Sequence, residues 1–400
     1  MARSKSTLLK LPRNIYILGF LSFFNDLSSG MITPLLPVFL SSLGLGASFL
    51  GLMEGLANAL SHGVVLLSGW YADRYNQDRK LTLFGYILCS VVRFFMAIPV
   101  AGVVLGARLS DRIGKGIRTA PRDRLLTASL TQEDWGKGFG VQRAMDHAGD
   151  FLAWPLSAAL LAWTALSLSG FFVVASIPAF IMVLVLARYL REARLEKSQQ
   201  ETSPKLSLSL KSLPKPLKRY LIIIFISAFS TPSELFLILK IKNLGLAAHS
   251  IPWVWGTLTL ASLLASLLGG YLADHWSQRR TIALGWLLFA LGFVGFAFTQ
   301  HIAATWALIG LHGFQLGLVE ASERSYPAHW VAPQFRGVAM GWYYFAYSLG
   351  LLPASWIFGL IWEKIGSSQA FLIYAGMSLL AIPFLFLLPS HRNKTEKNPS

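Results

Sequence analysis

The sequence predicts an all-α polytopic membrane protein with twelve transmembrane helices in two pseudo-symmetric six-helix bundles. The chain has 400 residues, of which 54% are hydrophobic and only 14% are charged. Apolar runs near 20 residues recur along its whole length, and each is long enough to cross a hydrocarbon core of about 30 Å. Several features also recur at an offset of 201 residues, the separation of Asp73 and Asp274. This repetition predicts two related halves.

Each helix is expected where an apolar run is bounded by charged residues, glycine or proline. In the first half the helices are expected near 14–40, 47–72, 81–100, 103–123, 138–162 and 168–190. In the second half they are expected near 220–242, 250–273, 281–300, 302–324, 336–361 and 368–389. The resulting organisation is an N-terminal bundle (1–190), a basic cytoplasmic linker (191–219) and a C-terminal bundle (220–400).

The net charge of +16 is concentrated in three places. Basic residues precede the first helix, crowd the linker and follow the last helix, which is the bias of cytoplasmic loops. This indicates a multi-pass protein of the cytoplasmic (inner) membrane with both termini in the cytoplasm, and it argues against a nucleic-acid partner. The single cysteine, Cys89, lies in an apolar run, so no disulfide framework is expected.

The most charged stretch, 107–126, carries six basic and two acidic residues. As a loop it would be the most basic external segment of the protein, against the positive-inside bias. The offset of 201 residues also places Gly116 and Ala120 on Gly317 and Ala321, inside an apolar helix. We therefore expect this stretch to cross the membrane as the fourth helix, with Pro121 ending or kinking it.

A short motif follows the second helix of each half. In the first half it comprises Gly69, Asp73, Arg74, Arg79 and Lys80; in the second it comprises Gly270, Asp274, Arg279 and Arg280. The motif resembles the signature loop of the major facilitator superfamily, with Asn76 in place of its second glycine. The resemblance covers essentially the whole chain and implies the fold of that superfamily. It also implies that these residues form a cytoplasmic gate.

The fourth helix resembles the superfamily's pattern Arg-x-x-Gln-Gly-x-Gly-x-Ala, whose arginine is associated with proton coupling. Arg112, Gly116 and Ala120 match this pattern, whereas Lys115 and Arg118 replace its glutamine and second glycine. The fifth helix keeps the glycine spacing of the antiporter signature but has Ala-Trp in place of its Gly-Pro. We therefore keep drug–proton antiport as an alternative function and do not make it the main prediction.

A helical projection places most charges of the fourth helix within an arc of roughly 140°. Charges at bilayer depth are costly, so this face must meet a wet cavity or partner carboxylates. Pairing into a structural network is the competing interpretation, and Asp111 and Asp123 are candidates for that role alone. The second half is less basic and offers carboxylates and tyrosine hydroxyls, which suits an anionic or zwitterionic solute.

These faces define the predicted substrate path. Its candidate residues are Asn25, Asp26, Glu54, Arg112, Lys115, Arg118, Asp146, His147, Glu234, Gln315, Glu320, Tyr343 and Tyr347. Proton coupling needs a carboxylate or histidine whose pKa burial and neighbouring charges can tune. The candidates are Asp26, Glu54 and Asp146.

We therefore predict a secondary active transporter that moves a small organic anion or zwitterion by alternating access, coupled to protons. The alternatives are a multidrug/proton antiporter and a non-transporting sensor or lipid-handling protein on the same fold. No phosphate-binding loop or metalloprotease motif is present, so we expect no enzyme activity, no cofactor and no metal. The expected partners are the solute, the proton and membrane lipids, and the expected state is a monomer.

Overall fold

The computed structural model describes residues 12–75, 77–130, 135–189, 210, 213–331 and 336–388. Within these ranges the chain is helical. The α-helices are α1 (Arg13–Ile32), α2 (Leu36–Ser42), α3 (Ala47–Tyr75), α4 (Asp78–Phe95), α5 (Ala101–Ala128), α6 (Trp135–Trp163), α7 (Leu168–Tyr189), α8 (Lys215–Phe229), α9 (Leu235–Asn243), α10 (Ile251–His275), α11 (Gln278–Phe298), α12 (Ile302–Ser325), α13 (Arg336–Lys364) and α14 (Ser367–Phe386). The all-α fold class is confirmed. The linker at 191–219 lies mostly outside the described residues, so the three-part division stays a prediction.

Two of the twelve predicted helices are interrupted near prolines. A 3₁₀ turn at Thr33–Leu35, which contains Pro34, separates α1 from α2. Residues 230–234, which include Pro232, separate α8 from α9. Proline has no backbone N–H and crowds the preceding turn, which accounts for breaks at these points.

Pro121 behaves differently from the other two prolines, because α5 continues through it to Ala128. The expected end of the fourth helix at residue 123 therefore comes five residues too early. Membrane helices tolerate internal proline where neighbouring helices and side chains satisfy the freed backbone groups. Pro121 is buried among such neighbours.

Seven helical segments in the described residues are long and apolar enough to cross a membrane. They are Arg13–Ser42, Ala47–Gly69, Ala248–Gly269, Gln278–Phe298, Ile302–Glu320, Ala339–Lys364 and Ser367–Phe386. Helices α4, α5 and α6 carry several charged residues each, and the apolar part of α7, Leu168–Val183, is shorter. The protein is therefore a polytopic membrane protein, and the count of twelve crossings stays a prediction.

The helices pack into two compact units. One unit contains α1–α7 together with Ser233–Gly256, which holds α9 and the start of α10. The other contains α8 and the chain from Thr257 onward. In the first unit a core forms around Leu18, Tyr86 and Leu126; in the second a core forms around Tyr220, Trp286 and Tyr343.

Both units use the same close helix contact, at positions related by the offset of 201 residues. In the first unit a Cβ on Gly116 would lie 2.7 Å from the carbonyl oxygen of Ser61. In the second unit a Cβ on Gly317 would collide with the carbonyl oxygen of Ser262. The glycines therefore let α5 lie against α3 and α12 lie against α10, as the internal repeat predicts.

We expect Gly116→Ala to lower the stability of the protein by about 1–3 kcal/mol, the usual effect of overpacking. The added methyl would also lie 2.8 Å from Cβ of Val64, so one of the two helices must shift. Thermal unfolding of the purified protein measures the effect. Gly106→Ala is the matched control because it lies on the same helix with open space at its Cβ. Equal unfolding midpoints for the two variants would contradict the proposed close contact.

Candidate functional site

Helix α5 runs beside α3 in the same direction, which fixes the depth of its charges. Arg108 of α5 lies beside Glu54 of α3, and Gly116 lies beside Ser61. The partners on α3 belong to its apolar span, Ala47–Gly69. The segment of α5 between Arg108 and Gly116 therefore lies at the level of that span.

The first cation of α5, Arg108, is fully engaged in a buried ion pair. Its Nε lies 2.7 Å from Oε1 of Glu54, and its Nη2 lies 3.1 Å from Oε2. A third nitrogen, Nη1, donates to Oγ1 of Thr33 over 3.4 Å. Arg108 and Glu54 are only 1% and 3% exposed. A bidentate pair with this geometry is a fixed structural element.

A second buried ion pair joins α4 to α5 and α1. Arg93 Nε lies 3.0 Å from Oδ1 of Asp111, and its two other nitrogens donate to the backbone and side-chain oxygens of Asn25, each over 3.0 Å. Asn25 in turn donates to Asp26 over 2.7 Å. Asp111 therefore has the structural role that the sequence left open, and Asn25 serves mainly to hold Arg93.

The far part of α5 is also largely satisfied. Arg122 contacts Asp123 at 2.9 Å and donates to Ser22 over 3.3 Å. Arg118 is buried and its Nε has no hydrogen-bond partner among the described residues, but its guanidinium carbon lies 4.2 Å from the centre of the Tyr86 ring. A cation at this distance from a tyrosine face is attracted by the ring's electron density.

Two cations of α5, Arg112 and Lys115, have no such partner. Within the described residues no carboxylate forms an ion pair with either of them, and the buried Nε of Arg112 has no hydrogen-bond partner. Lys115 is exposed on the surface of its unit. The two residues are three positions apart and lie on one helix face. Arg112 and Lys115 are therefore candidates for binding an anionic ligand on the predicted substrate path.

A cluster of acids lies beside Lys115: Asp26 and Asp150 interact with its amine at electrostatic range, and Asp146 interacts with Asp26 and Asp150. Asp26 comes from α1, and Asp146 and Asp150 come from α6. One oxygen of Asp146 accepts from Gln142 over 3.1 Å, whereas its buried Oδ1 has no hydrogen-bond partner. His147 is exposed on the same helix. The first unit therefore combines two unpaired cations with a cluster of acids.

The second unit places its candidates at two levels of α12. Gln315 is buried with an unpartnered Oε1, and His312, one turn away, lies against the rings of Phe289 and Phe293. Tyr343 donates to Glu323 over 3.3 Å and its ring stacks on that of Tyr347. Glu320 is exposed. Glu234, which belongs to the first unit, precedes α9 as its N-cap residue.

The predicted gate residues lie at helix ends. Gly69 and Asp73 lie in α3, and Asp274 lies near the end of α10; the side chains of both aspartates lie outside the described part of the chain. Arg74, Lys80 and Arg280 are exposed. The Nε of Arg79 is buried without a partner, and Arg279 donates to the carbonyl oxygen of Leu388 over 2.6 Å.

Sequence reasoning missed Arg93 and Gln142 as site residues, and it left Asp150 out of the predicted substrate path although Asp150 lies on the charged face of the fifth helix. Arg93 was visible as a lone charge inside an apolar run, which is a functional signal in a membrane helix. Gln142 and Asp150 flank Asp146 at four-residue spacing and therefore share its face. Glu323 was also omitted, although it accepts from both Trp286 and Tyr343.

A family model matches nearly the whole chain. The model of the Major Facilitator Superfamily matches residues 18–242 and 221–400. The chain is also 30% identical over 389 residues to an uncharacterised MFS-type transporter of Methanocaldococcus jannaschii, covering 95% of each protein.

Two further similarities concern function and fold. A homologue of the multi-drug resistance efflux pump PmrA from Lactococcus lactis is 24% identical over 323 residues, covering 78% of this chain and 79% of that protein. The crystal structure of a bacterial homologue of the human lysosomal transporter Spinster, in an inward-facing and unoccupied conformation, superposes with a TM-score of 0.78. That likeness covers 96% of this chain and 98% of that one at 13% sequence identity.

Proposed function

The chain belongs to the major facilitator superfamily of membrane transporters, and from that premise we propose that it is a proton-coupled secondary transporter of a small organic anion or zwitterion. Solute is moved by alternating access, the general mechanism of transporters built from repeated helical bundles. The protein acts as a monomer in the cytoplasmic membrane, with both termini in the cytoplasm.

The proposed solute class rests on one observation: some cations of α5 have partners within the protein and others do not. Arg108 and Arg122 are paired with carboxylates, and Arg118 is held by Tyr86. Arg112 and Lys115 form no ion pair with any side chain that the structure describes. An unpaired cation at membrane depth is costly, and a bound anion removes that cost. A carboxylate or phosphate accepts charge-assisted hydrogen bonds from both groups.

Proton coupling follows from the acids beside Lys115. Asp26 and Asp150 interact with the Lys115 amine at long range. A solute anion bound at Lys115 adds negative charge beside these carboxylates, and a proton carried on the acids of α6 balances that charge. Asp146 and Asp150 are better placed for this role than Glu54, because Glu54 is held by both nitrogens of the Arg108 fork.

The direct test is solute-driven proton flux in proteoliposomes that contain a trapped pH dye. The panel comprises monocarboxylates, dicarboxylates, phosphate monoesters, zwitterionic amino acids and the cationic drug ethidium. We expect at least one anion or zwitterion to move protons, and ethidium to move none. Absence of solute-dependent proton flux and of counterflow for every anion and zwitterion would overturn the proposal.

We further expect Asp146→Asn and Asp150→Asn to abolish uphill accumulation driven by the pH gradient while leaving solute counterflow intact. An amide keeps the shape and part of the hydrogen bonding of the carboxylate but cannot carry the proton. The matched control is Asp123→Asn, whose carboxylate pairs with Arg122. If the two α6 variants accumulate solute as the control does, the proton is carried elsewhere.

The similarity to the PmrA homologue supports drug efflux as a second candidate function. An exporter of cationic drugs would use the carboxylates Asp26, Asp146 and Asp150 and would find Arg112 and Lys115 unfavourable. Proton flux driven by ethidium and unaffected by anions would favour this candidate over the first.

A further inference from the structure

Helix α4 carries an amphipathic surface that the transport proposal does not use. One open groove of about 310 Å³ lies between α3, α4 and α5 and is lined by Leu67, Tyr71, Leu81, Phe84 and Ile117. It is almost entirely apolar. Besides the tyrosine, its one residue with a hydroxyl is Ser68, which donates its hydroxyl hydrogen to the Gly116 carbonyl oxygen over 2.9 Å and offers the groove little polarity.

A second groove of about 350 Å³ follows the neighbouring face of α4. It is lined by Arg79, Lys80, Leu83, Phe84 and Ile87, so its first turn is basic and the next two turns are apolar. Phe84 lines both grooves, and its side chain is 55% exposed. The ring therefore forms a ridge with an apolar channel on each side.

The two cations at the head of this surface have no carboxylate partner among the side chains that the structure describes. Within the described residues neither Arg79 nor Lys80 forms an ion pair, and the buried Nε of Arg79 has no hydrogen-bond partner. The neighbouring acid, Asp78, instead lies 3.6 Å from Arg124. Both cations lie in the first turn of α4, the third predicted crossing, and the ends of membrane helices lie at the level of the lipid headgroups.

We propose that this surface binds one anionic phospholipid, with its phosphate at Arg79 and Lys80 and one acyl chain on each side of Phe84. Basic residues next to a membrane helix attract anionic headgroups, and grooves lined by apolar side chains accept acyl chains. Two grooves that share one ridge, with a basic group at the head of one of them, match a two-chain amphiphile. A soluble anion would use the cations and leave both grooves empty.

The test is a lipid titration of the full-length protein by native mass spectrometry. Phosphatidylglycerol and phosphatidylcholine with identical chains are compared, with glycerol phosphate as a soluble competitor. We expect phosphatidylglycerol to bind at least tenfold more tightly than phosphatidylcholine, and glycerol phosphate not to displace it. Equal binding of the two lipids would overturn the proposal, as would displacement by millimolar glycerol phosphate.

Two variants locate the site. Arg79→Gln combined with Lys80→Gln is expected to weaken phosphatidylglycerol binding about 30-fold, from the usual contribution of two interfacial cations. Phe84→Ala removes the ridge and is expected to weaken binding of both lipids. Because Phe84→Ala keeps both charges, it tests the site even if the charge variant misfolds.

Matched controls remove the same groups elsewhere. Lys215→Gln with Arg219→Gln takes two exposed cations from the first turns of α8, and Phe95→Ala removes a 48% exposed ring from the other end of α4. Both controls are expected to bind phosphatidylglycerol as the wild type does. Site variants that match the wild type would contradict the proposal, as would controls that lose as much affinity as the site variants.

Discussion

Glu54→Leu is expected to lower the free energy of unfolding by about 3–5 kcal/mol, the cost of leaving one member of a buried ion pair without its partner. The carboxylate holds two nitrogens of Arg108 at 2.7 and 3.1 Å, and both side chains are buried. After the substitution Thr33 remains the one side chain that accepts from Arg108 among the described residues. Thermal unfolding of the detergent-purified protein, followed by circular dichroism, measures the loss.

The double variant Glu54→Leu with Arg108→Met supplies the control for this prediction. Replacing a whole buried pair by apolar residues of similar volume is often neutral or stabilising. The double variant should therefore recover most of the stability that the single variant loses. Asp123→Asn, which breaks an ion pair at a partly exposed carboxylate, should change stability by less than about 1 kcal/mol. A single variant as stable as wild type would show that Glu54 does not neutralise Arg108.

The difference between Arg108 and Arg112 marks the limit of what the sequence could predict. Helical periodicity placed both residues on one charged face of the fourth helix, and the structure keeps both on α5. Periodicity describes one helix at a time, whereas ion pairing depends on which residues neighbouring helices bring within reach. The partner of Arg108 lies 54 residues away on α3, and Asp111 forms its ion pair with Arg93 on α4. Tertiary packing alone distinguishes a structural cation from an available one.

The helix breaks show a similar limit. The sequence contains Pro34, Pro121 and Pro232 within three of the predicted helices, and they have different outcomes. The helix is interrupted around Pro34 and Pro232 but continues through Pro121. Proline always removes one backbone donor, but whether the helix breaks depends on the neighbours that satisfy the freed carbonyl. The approximate positions and the order of the helices could therefore be predicted from the sequence, whereas their continuity could not.

The sequence predicted that a glycine of α5 recurs in the second half of the chain, but it did not predict the close helix contact that requires a glycine there. The offset of 201 residues aligned Gly116 with Gly317 from the sequence alone. The contacts with Ser61 and Ser262 explain the alignment, since each glycine brings its helix against the backbone of an earlier one. Helix α5 packs closely on α3 through Gly116 and on α4 through Gly114, and Lys115 lies on a side of α5 that stays exposed. The same packing brings Glu54 to Arg108.

Arg112→Gln combined with Lys115→Gln is expected to raise the dissociation constant of the solute by about 10²-fold or more. A hydrogen bond to a charged group contributes about 1.5–3 kcal/mol, and two such bonds are removed. The stability of the protein should not fall, because neither cation is part of an ion pair among the described residues. Isothermal titration calorimetry with the anion or zwitterion that gives the largest thermal shift measures the affinity, and thermal unfolding of the unliganded protein measures the stability.

Glu54→Leu is expected to lower stability, whereas this double variant is expected to weaken solute binding and leave stability unchanged. The contrast distinguishes the structural cation Arg108 from the two cations proposed to bind the solute. Arg143→Gln, which removes an exposed cation from α6, is the matched control and should leave the affinity within about twofold of wild type, since an exposed charge contributes little. Arg112→Lys keeps the charge but loses the planar fork, so an intermediate affinity would indicate bidentate recognition of a carboxylate or phosphate. A double variant that binds solute as the wild type does would exclude these two cations as the anion site. A double variant that unfolds as readily as Glu54→Leu would show that Arg112 and Lys115 are structural after all.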